Sequence, residues 1–173
     1  HEQLNPSPEI PESAVAHLPT VIHHYGYMNA TVKEKRKSLR NLRLLKKSLE
    51  HQEDYDPWLD YHLASEWYRL GRLEDALKCV NRSILRFLAK GKLPPSLLYR
   101  LKYTVLIERG LYEQSAASIE AALKLYPDYV DLHLFKGIIL LKLKQYEQAL
   151  QSFQHCLLLG DNNLQHLTSY GAG

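Results

Sequence analysis

The residues of this chain with the chemistry for a reaction are few and poorly clustered. His1-Glu2 has no second histidine at the spacing by which a helix holds catalytic zinc, so no metalloprotease site is implied. Cys79 and Cys156 are not arranged as Cys-x-x-Cys, which argues against a zinc ribbon or a thiol–disulfide exchange motif. Both cysteines fall on the inner side of predicted helices and read as buried free thiols, in keeping with a reducing cytoplasm. The glycines are scattered, and no phosphate-cradling loop is formed. One constellation is ordered: Arg36, Arg40, Arg43 and Lys47 stand at i, i+4, i+7 and i+11, a single positive stripe along a helix. Such a stripe attracts sugar-nucleotide phosphates, anionic lipid headgroups or nucleic acid. The plainer reading is a solvated face that aids solubility. Nucleic-acid binding would want aromatic or base-reading partners beside it, and none is there.

The elements that must carry these residues follow from composition and pattern. With 173 residues, 45% hydrophobic and 24% charged, the chain has the makeup of an ordinary water-soluble domain. Its apolar runs are cut by Lys136, Lys142 and Lys144, too soon for a membrane span, and no secretory signal is visible. The net charge of +3 is local. Residues 1–29 carry Glu2, Glu9 and Glu12 and no Lys or Arg, residues 30–47 carry eight basic groups against Glu34, and the remainder nearly balances. A general nucleic-acid role does not follow from that charge. The chain opens on His1, and the expectation is that it is a fragment.

Pro6, Pro8, Pro11 and Pro19 break any helical period over residues 1–30, where only Val21, Ile22 and Tyr25 offer a short strand. Thr31-Val-Lys-Glu34 has capping-box spacing, and Leu39, Leu42, Leu45 and Leu49 continue as one apolar stripe, so residues 31–56 read as a basic capping helix and turn. Three helical hairpins are expected next, with first helices over 58–70, 97–109 and 130–143 and second helices over 74–88, 113–125 and 147–159. The copies GRLEDALKCVNRSILRFL from Gly71, GLYEQSAASIEAALKLYP from Gly110 and KQYEQALQSFQHCLLLGD from Lys144 share one pattern of sizes, the last two 34 residues apart. That period and pattern resemble the tetratricopeptide repeat, a helix–turn–helix unit. The resemblance covers residues 57–161 and implies an all-α right-handed superhelix, closed by the helix over 31–49 and followed by a tail over 162–173.

Within this resemblance, Ala64 and Gly137 fit the small position of the first helix and Tyr103 does not; Ala76, Ser115 and Ala149 fit the small position of the second. Trp67, Leu106 and Leu140, with Val80, Ile119 and Phe153, are expected between the layers. Gly71 and Gly110 suit helix C-caps at positive φ, with Lys144 in their place in the last copy. Ala89–Pro95 stretches the first spacing and is expected as an extended loop. The first helices should line a concave groove through Tyr61, Ser65 and Tyr68, then Arg100 and Thr104, then Leu134, Ile138 and Leu141. This groove is aromatic and apolar with Arg100 as anchor, and it lacks the several Lys, Arg and Asn residues of repeats that clamp acidic chaperone C-termini. Leu134, Ile138 and Leu141 are equally placed to pack on a further helix or a neighbouring domain.

A second resemblance lies ahead of the repeats. His1-Glu-Gln, Val21-Ile-His23-His24-Tyr-Gly-Tyr27 and Lys37-Ser-Leu-Arg40-Asn41-Leu-Arg-Leu44-Leu45 resemble the end of the catalytic domain of family-2 glycosyltransferases, whose bacterial members often continue into tetratricopeptide repeats. The resemblance implies a parent enzyme using a nucleotide sugar and a divalent metal, in which His24 would complete the metal site and Glu2 would assist acceptor deprotonation. Nothing here resembles the nucleotide-binding half or its Asp-x-Asp element. The chain alone is therefore expected to be non-catalytic and without cofactor. Two functions stay open: a repeat module that positions acceptor or partner at the C-terminal end of such an enzyme, and a stand-alone scaffold that binds a peptide or protein in its groove.

Overall fold

The structure, a computed structural model, describes residues 31–49 and 55–160, with side chains from Lys35 onward. The strand expected at Val21–Tyr25, His24, the Thr31–Glu34 capping contact and the tail from residue 161 lie outside the described residues.

Seven helices and no strands occur among the described residues. The first, α1 (Thr31–Leu49), is followed by three hairpins: α2 (Trp58–Arg69) with α3 (Leu73–Ala89), α4 (Ser96–Glu108) with α5 (Tyr112–Leu125), and α6 (Val130–Lys142) with α7 (Tyr146–Leu159). The boundaries of α2–α7 agree to one residue with those read from periodicity. The helices α2, α4 and α6 neighbour one another on the inner layer, and α3, α5 and α7 make the outer one. The outer helices α3 and α5 also meet the next inner helix, α4 and α6, so apolar faces that a single hairpin would leave wet are covered by its neighbour. Val80, Ala64, Ala76, Leu98, Val105, Leu106, Ile119, Leu132 and Ile139 are almost inaccessible and form one continuous core.

The turns repeat one device. Gly71 (φ +73°) accompanies a bond from Arg72 N–H to Trp67 C=O at 2.9 Å, and Gly110 (φ +70°) one from Leu111 N–H to Leu106 C=O at 3.0 Å. This six-residue closure satisfies a carbonyl left over at the helix end. Lys144 adopts the same left-handed conformation (φ +62°) beside the bond from Gln145 N–H to Leu140 C=O, although it bears a Cβ. A fourth copy at Gly91 ends α3, which runs through Ala89 and so takes the first residue of the expected extended loop. Lys90 to Leu93 are exposed, and the far end of the loop is pinned: Pro94 and Pro95 are buried, and Tyr126 Oη donates to the Pro94 carbonyl at 2.7 Å.

The small positions explain how closely each hairpin packs. Ala64 is fully buried, and a Cβ built on Gly137 would meet the Phe153 ring at 2.4 Å. Tyr103 occupies the equivalent place in the middle repeat, is 1% exposed, and extends its hydroxyl to Ser118 Oγ at 3.3 Å. Its bulk leaves α4 and α5 less extensively packed than the other two hairpins. Two core expectations need correction. Trp67 and Phe153 are half-buried at the layer edge, Trp67 beneath the cations of Lys46 and Arg72 at 5.0 and 5.5 Å from its ring. Both cysteines are free thiols, but only Cys79 is buried; Cys156 is half-buried with Sγ 3.8 Å from the Val130 carbonyl. No described helix is long and apolar enough to cross a membrane.

The contact of α1 with α2 contains more than leucines. Through Ser38, Leu42, Leu45 and Leu49, α1 turns its buried face to the rest of the domain and packs on α2. Asn41 Nδ2 donates to Glu66 Oε1 at 2.8 Å, and Arg69 holds the same oxygen at 2.9 Å. A buried carboxylate therefore joins α1 to α2.

Candidate functional site

Because α2, α4 and α6 are adjacent, residues three and four apart along each of them assemble into one surface. Tyr61, Ser65, Tyr68 and Thr104 are half-buried on it, Arg100 is exposed, and on α6 Leu134 and Leu141 are 41% and 46% exposed with Ile138 between them. Ser65 and Thr104 turn their hydroxyls back to the Tyr61 and Arg100 carbonyls at 3.0 and 2.9 Å, which leaves each methylene or methyl edge outward.

Polar ties cross the groove between inner helices. Tyr68 Oη on α2 donates to Glu108 Oε1 on α4 at 2.5 Å, and this bond, with burial, pushes the phenol pKa up to about 12. Arg100 Nε on α4 lies 3.2 Å from Asp131 Oδ2 on α6, an oxygen that also accepts from Tyr129 Oη at 3.1 Å. Burial pushes the Tyr129 phenol far above its ordinary range. Arg100, expected as the groove's anchor, is exposed and has Asp131 as its counter-ion, so the groove presents little net positive charge to an acidic ligand. At the other end, Trp58 meets Tyr61 edge-on at 5.4 Å and Phe87 at 5.6 Å, and Tyr61 meets His62 at 5.6 Å. Burial raises the Tyr61 pKa and lowers that of His62. The groove is thus aromatic at α2, polar but internally paired at α4, and aliphatic at α6.

The cationic stripe is also where the spacing puts it. Arg36, Arg40, Arg43 and Lys47 are all exposed on α1, away from its packed face. It shares no surface element with the groove-lining side chains named above.

Two groupings have no counterpart in the reading of the sequence. Asp60 on α2 is completely buried and is contacted by Arg82 on α3 in two hydrogen bonds, by Tyr55 Oη at 3.0 Å and by Arg86 Nε at 3.6 Å. The Arg86 guanidinium also stacks 3.8 Å from the Tyr55 ring centroid. A sequence signal existed: Asp60 shares a helical stripe with Leu63, Ala64 and Trp67, while Arg82 and Arg86 stand at i and i+4. The second grouping is a shallow cleft of about 450 Å³ lined by His133, Lys136, Gln148, Gln151, Ser152 and His155. The two imidazoles meet edge-on at 4.4 Å, and burial lowers the His133 pKa. No group of three or more His, Cys, Asp or Glu able to hold a metal occurs among the described residues.

Comparison with known proteins agrees with this geometry. Residues 104–155 match the family model of the tetratricopeptide repeat. Over 134 residues the chain is 25% identical to an Hsp70-Hsp90 organizing protein of Triticum aestivum, a match covering 76% of this chain and 22% of that protein. The chain thus spans about a fifth of the length of that relative. Its fold is similar to that of the MamA RS-1 ArsTM double mutant, with a TM-score of 0.61, 19% identity and 80% of each chain covered. MamA MSR-1 C2 aligns over 75% of this chain and 95% of its own, with a TM-score of 0.38 and 17% identity. Residues 104–155 thus carry a tetratricopeptide-repeat match, within an all-α stack of paired helices whose fold is tetratricopeptide-like.

Proposed function

We propose that the inner face of α2, α4 and α6 binds an extended segment of a partner protein, with aromatic contacts at Tyr61 and Tyr68 and aliphatic ones at Leu134, Ile138 and Leu141. The observation that carries this reading is the line of half-exposed aromatic and aliphatic side chains on α2 and α6, on either side of the charge-paired α4. Arg100 sits midway, with Asp131 as its counter-ion. A ligand rich in apolar residues and of low net charge fits this groove better than an acidic C-terminus. Trp58 lies against Tyr61 and reports on the site. In a Trp67→Phe background, titration with a panel of short extended peptides should give a saturable change in Trp58 fluorescence. Replacing Tyr61 by Ala or Ile138 by Glu should weaken it at least about tenfold, the scale of a truncated contact at an interface centre, whereas Leu85→Ser on outer helix α3 should not. Equal loss in all three variants would place the binding elsewhere.

A finer reading attaches this module to the C-terminal end of a bacterial family-2 glycosyltransferase, where it would position acceptor or partner in the cytoplasm. Its support is the order of the motifs at His1-Glu2, His23–Tyr27 and Lys37–Leu45, the last of which lies within α1. In this reading the chain has no catalysis of its own. The alternative is a stand-alone scaffold. An upstream reading frame with an Asp-x-Asp element favours the enzyme; a start codon immediately before His1 refutes it. Turnover of a nucleotide sugar by the pure chain with Mn²⁺ or Mg²⁺ would overturn the non-catalytic reading.

A further inference from the structure

From the stripe on α1 we infer that this helix is a docking surface for an anionic phospholipid bilayer. At 3.6 residues per turn, Arg36, Arg40, Arg43 and Lys47 fall within a wedge of roughly 60° and span about 16 Å of helix. Their wedge lies opposite the face formed by Ser38, Leu42, Leu45 and Leu49, which holds α1 to the rest of the domain. The stripe is therefore held outward by a helix whose other side is fixed. None of its four cations has an ion-pair or hydrogen-bond partner among the described residues. Elsewhere Arg69, Arg72, Arg82, Arg86 and Arg100 each lie within 3.6 Å of a carboxylate oxygen. Of the six arginines beyond α1 only Arg109 has no such carboxylate, so three unpaired arginines and a lysine in one line stand apart from the rest of the described residues.

The neighbours of the stripe select the kind of anion. Leu39 and Leu44 flank it, about 70° to either side by the same helical geometry, and are 50% and 59% exposed. A bilayer surface accommodates both features at once, with guanidinium and ammonium groups among the headgroup phosphates and leucines at the acyl boundary. A nucleic acid would meet the charges but leave the leucines against a polar backbone, and α1 carries no aromatic residue on which a base would stack. The straight line of charge, backed by a rigid layer, also suits a broad planar partner.

The test is co-sedimentation of the full chain with phosphatidylcholine vesicles, alone or with about a third phosphatidylserine. The chain should partition to the anionic vesicles, remain free with the neutral ones, and be released by salt. Arg40→Gln with Arg43→Gln should lower partitioning about 25-fold, near fivefold for each cation lost. Leu39→Ser with Leu44→Ser should lower it several-fold while leaving any affinity for poly(U) RNA unchanged. All four side chains are exposed, so circular dichroism should show the helices intact. Equal binding to neutral vesicles overturns the inference, as does tighter binding to poly(U) than to anionic vesicles. Partitioning that ignores the arginine pair overturns it as well.

Discussion

Gly137 is the position at which the packing argument is easiest to break. An added methyl would sit 2.4, 2.6 and 2.8 Å from three carbons of the Phe153 ring. Carbon atoms in ordinary contact lie about 3.5–4.0 Å apart, so the ring and helix must separate by more than 1 Å, as a rough difference of those distances. Overpacking of this kind costs about 1–3 kcal/mol. Against it, Ala gains about 1 kcal/mol over Gly inside a helix, and Phe153 is half-buried and has room to swing outward. Gly137→Ala should therefore destabilise the domain by about 1 kcal/mol net, lowering the thermal midpoint by several degrees. The companion change decides the cause. Phe153→Leu removes the obstructing ring edge, so Gly137→Ala in that background should become neutral or stabilising. Urea unfolding followed at the helical band, for the four members of this cycle, measures the coupling. A Gly137→Ala penalty unchanged by Phe153→Leu would refute close approach to that ring as the reason for the glycine. A stabilised single variant would refute the packing itself.

Three further outcomes follow from particular contacts. Asp60 is fully buried while the Arg82 and Arg86 side chains are 48% and 31% exposed, so the loss is asymmetric: Arg82→Gln with Arg86→Gln strands a buried carboxylate and should cost about 3 kcal/mol, whereas Asp60→Asn leaves cations that reach water and should cost about 1–2 kcal/mol; the reverse ranking in urea unfolding would refute this. Lys144→Gly removes a Cβ from a left-handed turn and should raise stability by about 1 kcal/mol, read as a higher unfolding midpoint. Burial depresses the His62 and His133 pKa values below 6.5, so their unfolded forms bind protons more readily; the stability they contribute is present above pH 6.5 and is lost as pH falls through the folded values. The urea midpoint should drop on acidification from about pH 7.5 to 5.5, and less so for His62→Gln with His133→Gln.

The helices were legible because their signals are local. Gly71 and Gly110 mark ends that need positive φ, and the leucine and alanine spacing marks the faces, so each boundary falls within one residue of its expected place. Tyr103 was legible only as a departure. What it does depends on Ser118 on the facing helix and on the looser approach of α4 to α5, neither of which a one-dimensional pattern contains. The loop at Ala89–Pro95 was legible in part: it is an exposed connector as far as Leu93, but the burial of Pro94 and Pro95 depends on Tyr126, 32 positions beyond Pro94, which bonds the Pro94 carbonyl.

Placement of the groove residues was within reach of the sequence, and their charge state was not. Helical spacing aligns Tyr61, Ser65 and Tyr68 because all lie on one helix, and the repeat period carries that face to Arg100 and Leu134. Whether Arg100 is available depends on Asp131, 31 residues on and in another repeat. The same holds for Tyr68 with Glu108 and Asp60 with Arg82. Such pairs bridge helices and have no fixed spacing, so they surface only when the repeats are stacked. Stacking also separates two kinds of cation that look alike in the sequence. Arg100 meets a carboxylate on the neighbouring inner helix, whereas Arg36, Arg40, Arg43 and Lys47 lie on the face of α1 turned away from α2, where no described helix supplies one. A periodic cationic face between two repeats would meet carboxylates of its neighbours, as Arg100 does; on α1, packed on one side only among the described helices, the same kind of face stays open to an anionic partner.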